Sequence, residues 1–214
     1  MNYLINLIPS LIEGLKNTLG VFILTLLFSI PLAFLVAFFK LSKNKLLKSF
    51  SSLYILILRG TPLLLQLIFV FFGLPLLGIT LDRFPAAIIA FSLNYAAYFG
   101  EIFRSGIQDV DKGQLEASKV LGFSKFFTFK NIILPQAFKK ILPSLGNETI
   151  TLLKDTSLVY VVGIGELLRA GKIASNRDAS LMPLLIIGLI YLLLIGILSL
   201  IFNNLEKKYS YYRT

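Results

Sequence analysis

Two long uncharged stretches constrain this chain more than any other feature. Residues 17–39 lie between Lys16 and Lys40 without a single charge, and residues 180–203 are equally bare. A helix crossing the hydrocarbon core of a bilayer needs roughly 20 apolar residues, and both stretches exceed that. The rest of the chain agrees: 56% of the 214 residues are hydrophobic and 15% are charged, against about 25% charged in soluble domains. With a mean hydropathy of +0.81, the expectation is an all-α membrane protein.

Composition also removes whole classes of chemistry. The chain has no Cys and no His, which excludes disulfides, thiol nucleophiles, the usual zinc sites and Ser-His-Asp catalysis. No metal site is expected. The net charge of +10 does not point to nucleic acid, because most of it falls between apolar segments, where the positive-inside rule puts it. The N-terminal apolar run is too long for a cleavable signal and lacks a small-residue cleavage site.

Five spans are expected, within one domain over residues 1–214. The first is residues 17–39, preceded by an amphipathic interfacial helix from Asn2 to Leu15. The second surrounds Arg59-Gly60-Thr61-Pro62, where a helix either kinks or breaks, because proline has no N–H to donate. The third runs from about Phe84 to Arg104. The fourth runs from about Phe138 to Val162 and contains Glu148, Lys154 and Asp155. The fifth is Ser180 to Asn203. Lys40, Lys43, Lys45 and Lys48 follow span one, and seven Lys or Arg from Arg104 to Lys140 lie between spans three and four. Lys207, Lys208 and Arg213 follow span five. This distribution predicts the N-terminus outside and the C-terminus inside. Tyr209, Tyr211 and Tyr212 beside those lysines read as an interfacial anchor.

The polar loop at about 105–137 has its own pattern: Glu116-Ala117-Ser118, three residues, Gly122, nine residues, then Ile132-x-Leu134-Pro135. Glu116 to Leu121 reads as a short helix that Gly122 ends with a left-handed cap. A second helix, about Ser124 to Ile133, is expected to end before Pro135. Two short helices joined at a glycine form a rigid knob for a groove on a partner.

This pattern resembles the cytoplasmic coupling motif of the permease subunits of bacterial ABC importers, with Ser118 where that motif usually has Ala. The likeness extends through Arg59 to Leu64, Ser92 to Tyr98 with Glu101 to Arg104, Leu142 to Glu148, and Leu153 to Leu158, so it covers nearly the whole chain. These segments are similar to the polar amino-acid uptake branch (histidine, glutamine and arginine types). The resemblance implies a coupling site of Glu116, Ala117, Ser118, Gly122 and Pro135. It implies two cytoplasmic ATP-binding-cassette subunits, a second permease chain, identical or homologous, an extracytoplasmic solute-binding protein, and a bacterial inner-membrane location. The chain has no Walker A sequence, so ATP belongs to the partner subunit and no cofactor is expected on this one.

Charges inside a span cost at least about 2.5 kcal/mol on insertion scales, so they mark pathways or paired packing sites. Asn94, Tyr98 and Glu101 share one helix face, and Glu148, Thr151 and Asp155 share another. The candidate substrate-binding residues are Asn94, Tyr98, Glu148, Thr151, Asp155 and Arg59. Glu148 or Asp155 suits an ammonium group, and Arg59 or an exposed helix N-terminus near Gly60 suits a carboxylate. Mutual neutralisation is the competing reading. It leads for Glu101, Arg104, Lys154 and Asp155, with Glu101 as a conceivable partner for Lys154. Two other functions stay open: a permease for another small solute such as methionine, and an autonomous secondary transporter. The latter usually carries an internal repeat, which this sequence lacks. A membrane-embedded enzyme would need a clustered nucleophile or metal set, and no spacing suggests one.

Overall fold

The structure is a computed structural model that describes residues 2–209. Tyr211, Tyr212 and Arg213, expected near an interfacial anchor, lie outside the described residues. Every described element is helical: α1 Asn2–Leu41, α2 Lys45–Gly60, α3 Leu63–Ile68, α4 Arg83–Gln108, α5 Lys112–Val120, α6 Lys125–Thr128, α7 Leu134–Asp155, α8 Leu167–Asp178 and α9 Met182–Tyr209. A π-helical turn, Phe69–Gly73, and a 3₁₀ turn, Leu74–Leu77, extend α3. A second π-helical turn, Phe129–Ile133, joins α6 to α7, and a 3₁₀ segment, Thr156–Val162, follows α7.

The all-helical membrane class is borne out. Among the described residues, three helices are long and apolar enough to cross a membrane: Leu7–Leu41, Arg83–Gln108 and Met182–Tyr209. A fourth crossing is counted if α2 and α3 with its extension, bent by 101°, form one broken span. The expected separate interfacial helix at Asn2–Leu15 is corrected, because α1 runs unbroken through it. Only an interior proline, Pro9, interrupts its ladder of hydrogen bonds there.

Helix α4 forms the core. Its small residues, including Ala86, Ala87, Ala90, Ala96, Ala97 and Gly100, are buried and let neighbouring backbones approach closely. A methyl group added at Gly100 would meet the Val36 side chain at 2.8 Å, and one at Gly106 would meet Ile141 Cγ2 at 2.0 Å. These contacts also give the helix directions. Gly20 faces Phe84 and Gly100 faces Val36, so α1 and α4 are parallel. Gly106 faces Ile141 while Tyr95 meets Asp155, so α4 and α7 are antiparallel. Gly146 packs on Phe202, and Phe138 stacks edge-on against Tyr209, so α7 and α9 are antiparallel as well.

Outward surfaces are apolar. Leu185, Leu189, Leu192 and Leu193 on α9, and Ile23, Leu27 and Phe38 on α1, are each more than half exposed. Contiguous apolar surface on this scale is untenable in water and ordinary against lipid tails.

Candidate functional site

The break between α2 and α3 follows from Pro62. The residue before a proline is pushed out of the helical region, and Thr61 is extended at φ −122°, ψ 147°. The chain turns by 101° there, and carbonyls at the end of α2 lose their helical donors. Side chains supply replacements. Gln66 Nε2 donates to Leu58 O at 3.0 Å and to Thr61 O at 3.2 Å. Asn94 Nδ2 donates to Leu58 O at 2.9 Å and to Gln66 Oε1 at 3.0 Å. Asn94 is 3% exposed, and its amide group fastens the break to α4.

All six substrate-site candidates line one cavity of about 440 Å³ at this break: Arg59, Asn94, Tyr98, Glu148, Thr151 and Asp155. A second cavity of about 380 Å³ shares Arg59, Tyr98 and Glu148 with it and continues along Glu101, Ser105, Asp109, Lys140 and Ser144. The charges differ in how they are satisfied. Asp155 accepts the Tyr95 hydroxyl at 2.7 Å. Glu101 pairs with Arg104 one turn on, at 2.5 Å, so the suggested Lys154–Glu101 pair is corrected. The Arg104 guanidinium lies on the same helix as Glu101, whereas the Lys154 ammonium is on α7 and exposed. Thr151 Oγ1 donates back to Asn147 O at 3.1 Å. Arg59 lies over the Tyr98 ring, 4.9 Å from its centroid, and has no ion pair among the described residues. Half-buried Glu148 likewise has no hydrogen-bond or ion-pair partner among them. Arg59 and Glu148 thus face one cavity, each without a direct ion pair among the described residues.

Sequence reasoning missed two residues here. Gln66 is a polar amide within the otherwise apolar run Leu63 to Phe72, and that isolation was the available signal. Tyr95, 1% exposed, gave none, since its partner lies 60 positions away.

The loop between α4 and α7 is a separate construction. Asp111 caps α5 by accepting Gly113 N–H at 2.7 Å. At the other end Gly122 N–H donates to Lys119 O and Phe123 N–H to Ser118 O, both at 3.0 Å. That pair of bonds is a Schellman motif, and it needs a left-handed residue, which Gly122 supplies at φ +74°. Ser124 Oγ then accepts Phe127 N–H at 3.2 Å to start α6. The expected stop before Pro135 is corrected. Leu134 N–H reaches back to Phe129 O in a π-helical turn, and the helix continues through Pro135, which stands in the first turn of α7 where an N–H is dispensable. Glu116, Ala117, Gly122 and Pro135 are exposed, whereas Ser118 is buried and donates to Gln114 O at 2.6 Å. Val120, Leu121 and Phe126 are 88%, 68% and 74% exposed at the tip.

Residues 29–211 match the family model described as "Binding-protein-dependent transport system inner membrane component". The chain belongs to that family. It is therefore a permease of the inner membrane, a transport component without a catalytic role. The permease is 43% identical to the arginine transport system permease protein ArtQ of Bacillus subtilis (strain 168), over 94% of this chain and 93% of the relative. It is 40% identical to the putative glutamine transport system permease protein GlnP of Rickettsia conorii, over 96% and 97%. Among solved structures it superposes with a TM-score of 0.88 on a crystal structure of an amino acid ABC transporter with histidines, at 36% identity and 96% coverage of both chains. Membership implies ATPase and binding-protein partners.

Proposed function

We propose that this permease carries a polar amino acid inward through the cavity at the α2–α3 break. The observation that carries the reading is the unpaired Arg59 and Glu148 on one cavity. A zwitterion supplies the missing partner to each, its carboxylate to the guanidinium and its ammonium to Glu148. Tyr98 and Thr151 line the space between, Asn94 holds the wall, and Asp155 is occupied by Tyr95. The relatives named for arginine and glutamine support the substrate class, without naming the amino acid.

Five crossings, with the N-terminus outside and the C-terminus inside, are the topology we infer. The alternating helix directions support it: α1 and α4 run one way, and α7 runs against α4. Helix α7 with its 3₁₀ extension is the fourth crossing, and its Lys140, Ser144, Glu148, Thr151 and Asp155 line the two cavities. Two ATPase subunits lie beneath the loop at 105–137, and Glu116, Ala117, Ser118, Gly122 and Pro135 form the element they grip. ATP binds there and not on this chain. A second permease chain completes the pathway, and a solute-binding protein delivers the amino acid from outside. ATP-driven closure of the ATPases moves α5, and the doubly capped loop transmits that motion without bending. The cycle is alternating access, with direction set by differential affinity in the two states together with ATP.

The test is ATPase activity in proteoliposomes holding the permease, its ATPase and its binding protein, across a panel of amino acids. Stimulation by one loaded binding protein is expected. Uptake persisting without nucleotide would replace the proposal with a secondary transporter.

A further inference from the structure

We propose that the turn between α1 and α2 is a binding site for the headgroup of an anionic phospholipid. Lys43, Lys45 and Lys48 project from this turn and all three are exposed. Lys40 differs: its Nζ turns inward to donate to Ser52 Oγ at 2.5 Å. The turn is built rather than loose. Ser42 Oγ accepts Asn44 N–H at 3.1 Å, and Asn44 Oδ1 accepts Leu46 N–H at 2.9 Å.

These three charges have no ion-pair partner among the described residues. No Asp or Glu occurs from residue 14 to residue 81. Of the acids near this end of the adjacent α4, Glu101 is paired with Arg104 and Asp109, just beyond the helix, with Lys140. Helix stability does not explain the lysines either. Lys45 and Lys48 sit in the first turn of α2, the end where the helix dipole disfavours cations.

An apolar track leads away from the same turn. Leu46, Phe50, Leu53 and Ile57 recur at helical spacing along α2 and are 81%, 63%, 55% and 51% exposed. Charge at one end of an exposed apolar stripe matches a phosphate headgroup with its acyl chain laid along the helix. Juxtamembrane lysine clusters bind anionic lipid by this electrostatic attraction. A soluble phosphate would satisfy the lysines and leave the stripe unused, so the occupant is the lipid. The inference rests on the topology above, which puts this turn at the cytoplasmic surface.

The experiment is native mass spectrometry of the full-length permease in detergent, with phosphatidylglycerol and phosphatidylcholine added in competition. Retention favouring phosphatidylglycerol by about tenfold or more is expected. The combined variant Lys43→Gln, Lys45→Gln, Lys48→Gln should lose the preference, and the corresponding triple Arg variant should keep it. Because these lysines also bear on insertion, orientation is read separately by labelling a Lys112→Cys background, which introduces the sole thiol. Equal retention of both lipids by the parent chain would overturn the proposal. So would a correctly oriented Gln variant that keeps the preference, or displacement of the lipid by millimolar inorganic phosphate. The binding readout needs no ATPase, so it stands or falls independently of the transport assay.

Discussion

Asn94 donates to Gln66 Oε1 at 3.0 Å, and both amides donate to the carbonyl of Leu58. The two side chains form a clamp that replaces the backbone bonds lost at Pro62. Asn94→Ala leaves Gln66 Oε1 without this donor and Leu58 O with Gln66 alone, at a cost of about 1–3 kcal/mol. The melting temperature of the purified permease should fall, and Asn94→Asp should fall further, since a carboxylate cannot donate to either acceptor. A melting temperature unchanged in both variants would remove Asn94 from the clamp.

Glu148→Gln tests the cavity. The substitution keeps size and removes charge, so folding should persist while the apparent KM for the transported amino acid rises about tenfold or the cargo preference changes, reflecting one lost charge-assisted contact. Uptake kinetics across an amino-acid panel decide. Identical kinetics for every amino acid would leave Glu148 without a role in recognition.

Gly122 separates backbone strain from contact with a partner. Among the described residues, no atom beyond its chain neighbours lies within 4 Å of a Cβ built there, yet its φ is +74°. Asn tolerates the left-handed region and should retain Schellman geometry, whereas Val should destabilise the loop by about 1–2 kcal/mol. Gly122→Asp should insert normally and abolish ATP-driven uptake. Wild-type uptake in that variant argues against docking at this glycine.

Gly106 and Ile141 pack tightly where α4 meets α7. Gly106→Ala brings a methyl group to 2.0 Å from Ile141 Cγ2, and overpacking of this kind costs about 1–3 kcal/mol. Adding Ile141→Ala should return much of that stability. Strictly additive losses in thermal unfolding would mean that the two sites do not share the contact.

Much of this architecture was legible because membranes make sequence patterns blunt. The uncharged stretches at 17–39 and 180–203 became the membrane-crossing parts of α1 and α9. Arg59, Tyr98, Glu148 and Asp155 stood out as polar groups in apolar surroundings; helical spacing put Glu148 and Asp155 on one face of α7, and the packing of α2, α4 and α7 completed the cavity. Gly122 announced its cap because few residues other than glycine adopt that conformation cheaply. What escaped depended on tertiary partners. Gln66 joins Asn94 only because α4 is brought beside it, and Asp155 accepts a hydrogen bond from a tyrosine on another helix. Pro135 misled for a local reason: a π-helical turn lets the helix absorb a proline that would otherwise end it. The continuity of α1 through Pro9 was hidden by the polar residues from Asn2 to Leu15, which mimic a separate surface helix.

Arg59, Tyr98 and Glu148 belong to both cavities. On the proposed route, cargo passing from one cavity to the other meets the same three side chains on arrival and on departure. Tightening their hold to improve capture at low concentration also slows escape on the far side. That route makes selectivity and turnover depend on one set of atoms, so engineering the permease for a new cargo would mean retuning both together.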